Sequence, residues 1–311
     1  MADAMISVVI VNWNAGRQLA TCVQSVVNSS RGVVQKIVVV DNGSTDDSLG
    51  RIAQIENVEI VKAEENLGFG RACNLGASRC SSEYILLLNP DAEVYEHTFD
   101  DLMAYLSSDM QRSVGIVGIQ LLDETGHIAR SCTRFPGPVA FIAGALGADR
   151  FFPKLGHFMS EWPHDESRIV DHVIGAFYLV RRDVFNALGG FDERFFLYLE
   201  DLDLSLRAKQ AGWDTVFLAN IQAFHAGGGT SCQIKARRLF YATRSKLQYA
   251  FKHFSLTGAL MVLLATLLLE LAVRTLHAAA RGSGSALRET WSAWGMLLRW
   301  LPQWWFRGVT R

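Results

Sequence analysis

A chain of 311 residues, half of them hydrophobic, can bury a sizeable core or two units of unequal size. Its formal net charge of -1 gives no electrostatic reason to expect a nucleic-acid partner. The five cysteines (Cys22, Cys73, Cys80, Cys132 and Cys232) show no metal-ligand spacing, and their odd, dispersed count suits reduced cytoplasmic thiols better than a disulfide framework.

The opening stretch MADAMISVVIVNW lacks the basic segment of a secretory signal and its apolar run is short, so residues 6–11 (ISVVIV) are predicted as a first strand. Further strands are predicted at 36–40 (KIVVV), 58–61 (VEIV) and 84–88 (YILLL), with helices at about 17–28, 46–56 and 70–80. Near-continuous apolar strands separated by helices predict a parallel sheet covered on both faces, whose ligands bind beyond the carboxyl ends of its strands. Polar residues stand at three of those ends: Asn12-Trp13-Asn14, Asp41-Asn42-Gly43 and Asn89-Pro90-Asp91. Their common position predicts a single site there.

Several of these motifs admit two readings. Asp41, opening DNGSTDDS, can accept the imide N–H of uracil or thymine, or it can form an Asx-turn into a helix capped by Ser44 or Thr45. NLGFGRACN (Asn66–Asn74) is a Gly-rich turn entering a helix, where backbone N–H groups suit a phosphate, although Gly68 and Gly70 also serve simply to shape a turn. It neither follows the first strand nor has G-x-G-x-x-G spacing, which disfavours a Rossmann dinucleotide fold. Asp91, in LLLNPDAEV, is a natural ligand for Mg²⁺ or Mn²⁺ beside a diphosphate, or part of a solvated turn begun by Pro90. His225, in AFHAGGG, is either a metal ligand or a structural hydrogen-bonding residue beside a glycine hinge.

Residues 135–168 carry Pro, Gly and aromatic residues and fit no single element; a mobile loop over the site is one reading. A buried strand is predicted at 172–180 (HVIGAFYLV), then a short helix near Asp183. FDERFFLYLEDLDLSLR follows, setting Asp192, Glu193, Glu200, Asp201 and Asp203 among bulky apolar groups. Carboxylates in such surroundings lose hydration, which makes Glu200 and Asp201 candidate general bases; the alternative is an acidic helix start that complements the dipole. The helix is predicted to reach about residue 211, with a strand at 215–218. Residues 256–269 (LTGALMVLLATLLL) fall short of the roughly 20 needed to span a bilayer comfortably. After a Gly/Ser linker at 281–285, ETWSAWGMLLRWLPQWWFR brings five tryptophans together with arginines. That pairing predicts an interfacial membrane anchor, with two helices packed on the globular part as the alternative.

In order, VVIVNWN, VVVDNGSTD, NLGFGRACN, LLNPDAE, GAFYLVRRDVFNALGGFDERFFLYLEDLDLSLRAKQAGW and HAGGGTS resemble glycosyltransferase family 2. The likeness is greatest to the rhamnosyltransferase-type branch that builds bacterial surface polysaccharides, and it covers about residues 6–254. It implies an α/β GT-A fold with a mostly parallel central sheet over residues 1–235, followed by a helical, membrane-associating region at 236–311. It also implies an inverting enzyme using Mg²⁺ or Mn²⁺. The sugar, L-rhamnose on this resemblance, would move from a dTDP- or UDP-linked donor to a polyprenyl-linked glycan at the cytoplasmic face of the inner membrane. Carried over position by position, Asp41 holds the base, Asp91 the metal with His225 as a further ligand, and Asp201, beside Glu200, is the catalytic base. Asn12, Asn66, Gly68 and Asn89 complete the expected donor site. The chain departs from the family's D-x-D pattern at Asn89, leaving one acid where two are common. Arg237, Arg238 or Arg244 would meet the diphosphate or face a membrane. A non-catalytic nucleotide-sugar-binding protein would not need the Glu200-Asp201 pair. A synthase-type subunit would need several long membrane spans.

Overall fold

The computed structural model describes residues 5–55, 57–108, 113–227 and 234–310. The chain divides into two compact units. The first comprises Met1–Thr133, Trp162–Asp192 and Asp201–Thr230; the second comprises Arg134–Glu161, Glu193–Glu200 and Ser231–Arg311. The single boundary expected at 235/236 is therefore replaced by a discontinuous one, with two earlier segments grouped with the C-terminal helices.

The first unit begins with β1 (Ile6–Asn12), α1 (Arg17–Ser29), β2 (Val34–Asp41), β3 (Val58–Lys62), α2 (Phe69–Ala77) and β4 (Tyr84–Leu88). β1 is buried along its whole length, as a strand covered on both faces must be. α2 lies close on the sheet because Gly76 has no side chain: a Cβ there would stand 2.4 Å from Val9 Cγ1. The chain continues through β5 (Ala92–Val94), α3 (Thr98–Leu106), β6 (Val114–Leu122), β7 (Ile128–Ala129) and β8 (Cys132–Thr133). After α4 (Pro138–Leu146), which belongs to the second unit, come β9 (Arg168–Val170), β10 (His172–Val173), β11 (Phe177–Arg181), α5 (Arg182–Ala187), α6 (Glu200–Gln210) and β12 (Asp214–His225).

The main sheet runs β3-β2-β1-β4-β11-β6-β12-β5, with β7 on β6 and β9 on β12, while β8 and β10 form a separate pair. The predicted parallel order holds from β3 to β4. β11 then enters antiparallel to both β4 and β6, and β12 runs parallel to β6, so the sheet as a whole is mixed. Its core gathers Ile10, Val39, Leu86, Phe99, Leu121 and Leu179, among others. Each such side chain contributes about 1.5–3 kcal/mol on burial.

Two predicted elements differ from the structure. The helix expected at 46–56 is only a 3₁₀ turn at Leu49–Arg51, because Ser44 and Ser48 are engaged by Asn12 rather than capping a helix. Glu56 lies outside the described residues. The strand expected at 172–180 is broken between β10 and β11: the Ile174 N–H turns to Ser131 O (2.9 Å) and the Gly175 N–H to a side chain, Asp201 (2.8 Å).

In the second unit, residues 135–161 are not a loose loop. α4 packs against α8 (Leu256–Leu264) and the π-helical turn Ala265–Glu270 that follows it. Phe141 meets Tyr249 and Phe254 at ring-centroid distances of 5.9 and 5.8 Å. An ion pair between Arg134 and Glu161 joins the ends of this segment. Tyr249 sits on α7 (Lys235–His253); α9 (Leu271–Ala280) and α10 (Gly284–Arg307) complete the unit. α8, the π-helical turn and α9 form one 25-residue apolar helix, Leu256–Ala280. That is longer than the apolar run predicted and sufficient by length to cross a bilayer, a property that core helices share. Its acid, Glu270, is buried between Lys246 and Arg274. Arg244, a sequence candidate for the diphosphate, is 2% exposed and lies over the rings of Phe196, Phe240, Tyr241 and Trp300. It is a core residue of this unit.

Candidate active site

The carboxyl ends of the parallel strands form one edge, where Asn12 pairs in register with Asp41 and Asp41 with Lys62. Asn12 is fully buried and acts inward: its Nδ2 donates to Asp41 Oδ1 (2.9 Å), Ser44 Oγ (3.0 Å) and Ser48 Oγ (2.8 Å). It thereby fixes Asp41, which is 6% exposed and also accepts the Ser44 N–H (3.4 Å). Asp46 ties the two loops together by accepting from the Gly16 N–H and the Ser48 hydroxyl. Burial would raise the Asp46 carboxyl, but the Ser48 hydroxyl and the N–H groups of Ser48 and Gly16 hold it below the ordinary range. Asn14, in the left-handed conformation (φ 53°), accepts the Thr45 N–H.

Asn42, noted in the sequence only as part of a polar strand end, organises the glycine-rich turn. Its Nδ2 donates to Asn66 Oδ1 (3.0 Å) and Gly68 O (3.2 Å), and its Oδ1 accepts the Leu67 N–H (2.7 Å). Asn66 Oδ1 accepts a second bond from the Gly68 N–H (2.9 Å). Asn66 and Gly68 (φ 81°) thus build the turn that starts α2. At the far end of the same motif, Asn74 clamps Phe191 through both backbone groups, each at 2.9 Å. This bond pair ties NLGFGRACN to GGFDE in the fold. A Cβ on Gly190 (φ 70°) would come 2.5 Å from Asn74 Oδ1.

Along the edge, the Asn89 N–H donates to Ala176 O (3.0 Å), which brings the start of β11 beside the end of β4. Asn89 itself is half-buried. Asp91 is 7% exposed, and its Oδ1 lies 3.4 Å from His225 Nε2. Pairing of β12 with β5 sets His225 opposite Ala92, and the Ala226 N–H donates to Asp91 O (3.1 Å). The remainder of the HAGGGTS motif, from Gly228, lies outside the described residues, as does Cys232. Nearby Cys22 is an unsuitable metal ligand: burial and then the charges of Asp91 and Glu93 push its thiol far up.

Asp201 reaches this edge from α6. Its Oδ2 accepts the Gly175 N–H (2.8 Å), one residue before Ala176, and its Oδ1 accepts the Leu202 N–H (2.8 Å). Any Cβ on Gly175 would stand 3.2 Å from Asp201 Oδ2 and 3.6 Å from Phe69 of α2. The structure therefore gathers Asp91, His225, Asn89, Asp201 and the start of α2 around one strand-end edge. Glu200 is the first residue of α6, is 3% exposed, and follows Tyr198 and Leu199, both in the left-handed region (φ 72° and 67°). A bulky pair in that conformation stores strain immediately before the acids. Arg207 anchors the other end of the segment through Asp203 (2.8 Å), Leu188 O (2.7 Å) and Gly190 O (2.8 Å).

Residues 7–189 match the sequence profile of glycosyl transferase family 2. The chain belongs to that family. It is therefore an enzyme of the hexosyl-transferring kind, similar to rhamnosyltransferases. It is 27% identical over 268 residues to the N-acetylglucosaminyl-diphospho-decaprenol L-rhamnosyltransferase of Mycobacterium tuberculosis (strain ATCC 25618 / H37Rv), covering 81% of this chain and 84% of that one. Over 171 residues it is 32% identical to rhamnosyltransferase WbbL of Escherichia coli (strain K12), covering 51% and 60% of the two chains. Its fold is shared with the mannosyltransferase PcManGT from Pyrobaculum calidifontis, solved in complex with GDP-Man and Mn²⁺. The TM-score is 0.56 at 16% identity, over 99% of this chain and 83% of that one. The expected GT-A architecture is thus present.

His172, beside Asp201, is a residue that the sequence did not single out. Its Nε2 lies 3.4 Å from Asp201 Oδ2, yet in the sequence it is a lone histidine 29 positions before its partner. Nothing local marks that pairing; only the return of α6 to β10 creates it.

Proposed function

We propose that the protein is an inverting glycosyltransferase that moves L-rhamnose from a dTDP- or UDP-linked donor to a hydroxyl of a polyprenyl-linked glycan. The observation that carries this reading is the approach of the Asp91 and Asp201 segments: Asn89 hydrogen-bonds Ala176, and the neighbouring Gly175 hydrogen-bonds Asp201. A nucleotide-sugar-binding protein would need the first carboxylate without the second.

Asp41, held by Asn12, would accept the imide N–H of the base, with the Asn66–Gly68 turn and Asn89 lining the donor. A divalent ion fits Asp91 and His225, since a buried carboxylate faces an imidazole nitrogen at 3.4 Å. Among the described residues no group of three or more His, Cys, Asp or Glu side chains could hold a metal. Diphosphate oxygens and waters would therefore supply the remaining ligands, as is usual for Mg²⁺. Bound there, Mg²⁺ or Mn²⁺ would neutralise charge on the leaving diphosphate. Asp201 would take the proton of the acceptor hydroxyl as that oxygen attacks the anomeric carbon, a contribution typically of about 10²–10⁴-fold. Burial pushes the Asp201 carboxyl up, but the neighbouring His172, with the N–H groups of Gly175 and Leu202, holds it below the usual range. It is thus ionised and ready to accept.

The acceptor reading rests on the name of the mycobacterial relative and on the surface of the second unit. Apart from Tyr95, Ile128 and Ile169, every exposed large hydrophobic side chain recorded among the described residues belongs to that unit, including Phe151, Phe152, Leu264, Leu268, Trp305 and Phe306. Apolar side chains of this size with interfacial tryptophans favour a bilayer surface, here the cytoplasmic face of the inner membrane. A donor screen with purified protein and Mg²⁺ or Mn²⁺, reading release of nucleoside diphosphate, tests the proposal. Turnover confined to dTDP-rhamnose or UDP-rhamnose supports it. Saturable binding of every donor without turnover contradicts it.

A further inference from the structure

We propose that His172 is a positioning residue for the Asp201 base, orienting its carboxylate through a Thr133–His172–Asp201 chain; this rests on the reading of Asp201 as the base. The chain is built by β8 and β10, a two-residue antiparallel pair in which His172 stands opposite Thr133. His172 is 3% exposed. Its Nδ1 lies 2.8 Å from Thr133 Oγ1, and its Nε2 faces Asp201 Oδ2 at 3.4 Å. Nε2 makes no formed hydrogen bond among the described residues. A buried ring nitrogen aimed at a carboxylate is costly unless that carboxylate is its partner.

The chemistry fixes the proton positions. An ionised carboxylate only accepts, so Nε2 must carry hydrogen. In the neutral ring Nδ1 is then an acceptor, and the Thr133 hydroxyl must donate to it. Thr133 therefore selects the tautomer that serves Asp201. The 3.4 Å separation exceeds the roughly 2.7–2.9 Å of a formed charge-assisted bond. Such contacts tighten when substrate binds. In the transfer itself the acceptor O–H bond breaks as its oxygen bonds to the anomeric carbon and the bond to the diphosphate breaks. The proton goes to Asp201, and His172 keeps its own. Other polar groups around Asp201 are Tyr178 of β11, bonded to Ser205 Oγ (2.9 Å), and Glu200, Asp203 and Arg207 of α6 itself. The Asp203–Arg207 ion pair (2.8 Å) compensates within that helix, and His172 of β10 faces the carboxylate from another element.

The experiment measures kcat/KM against pH for His172→Phe, His172→Gln and Thr133→Val in the full chain, by nucleoside diphosphate release, with melting curves for each. Without His172, burial dominates at Asp201, so the acid limb should move to higher pH, and kcat should fall about 10-fold or more. Gln can present an N–H where Nε2 does, and should recover most of the kcat. KM for the donor should stay within about 2-fold, since His172 is not a donor ligand. Thr133→Val, nearly isosteric, should show a smaller loss of the same kind and decides the matter if the Phe variant does not fold. An acid limb unmoved in all three variants, or Gln as impaired as Phe, overturns the proposal. Asp201→Asn separates the two levels. If Asp201→Asn is inactive and the limb unmoved, His172 alone is wrong; if Asp201→Asn turns over like the parent, the base reading is wrong as well.

Discussion

Replacing Asn12 with alanine tests whether the buried amide, rather than the loop backbone, holds Asp41, the carboxylate proposed to bind the nucleotide base. Asn12 gives Asp41 Oδ1 a hydrogen bond of 2.9 Å in a fully buried setting. A bond to a charged acceptor contributes about 1.5–3 kcal/mol, and the two bonds to serine hydroxyls about 1 kcal/mol each. The serine terms are partly recovered, because Ser44 Oγ also accepts the Asn14 N–H (3.0 Å) and Ser48 Oγ donates to Asp46 (2.6 Å). Among the described residues Asp41 has no such reserve beyond the long contact to the Ser44 N–H. The net expected loss in urea unfolding is therefore about 2–4 kcal/mol. With the carboxylate free to rotate, UDP or dTDP should bind about 10-fold more weakly by calorimetry, equivalent to about 1.4 kcal/mol. Stability within about 0.5 kcal/mol of the parent and an unchanged Kd would refute the argument.

Gly190→Ala should destabilise by about 2–4 kcal/mol, combining a left-handed φ with a Cβ driven into Asn74 Oδ1; urea unfolding within about 0.5 kcal/mol of the parent would contradict the clamp. Asp91→Ala should weaken donor binding about 10-fold or more, and a chelator should abolish parental activity until Mg²⁺ or Mn²⁺ is restored; full activity in excess chelator would remove the metal from the mechanism. Leu264→Ser with Leu268→Ser, at side chains 57% and 63% exposed, should reduce sedimentation with anionic vesicles about 10-fold while leaving the fold intact. Unchanged sedimentation would count against a lipid contact through α8. Point substitution is preferred to truncation after Phe254, because removal of α8 would strip α4 of its packing partner.

The parallel half of the sheet was legible because β1, β2 and β4 are continuous apolar runs ending in polar residues, and burial on both faces requires that pattern. The clustering of Asp41, Asn89 and Asp91 at one edge follows from that order alone. The segment 135–161 was not legible: its apolar residues serve a contact with α8, more than a hundred positions later, and no local period reveals such a partner. The 46–56 helix failed for a related reason, since Ser44 and Ser48 are drawn to Asn12 and neither caps a helix. Asp201 drew attention through its acidic, aromatic neighbourhood, whereas the pairing of His172 with it is a contact made only in three dimensions. Asn12 and Asn66, expected at the donor site, hold Asp41 and the Gly68 turn in place, bonds that no local pattern announces.

Turnover and donor binding measured side by side for Asp201→Asn give the most direct test of the catalytic assignment. The amide keeps the size of the carboxylate and removes the proton acceptor, so nucleoside diphosphate release with acceptor present should fall about 10²-fold or more. The Kd for UDP or dTDP should be unchanged, because Asp41 and Asp91 remain in place. Turnover near that of the parent would contradict the assignment of Asp201 as the base.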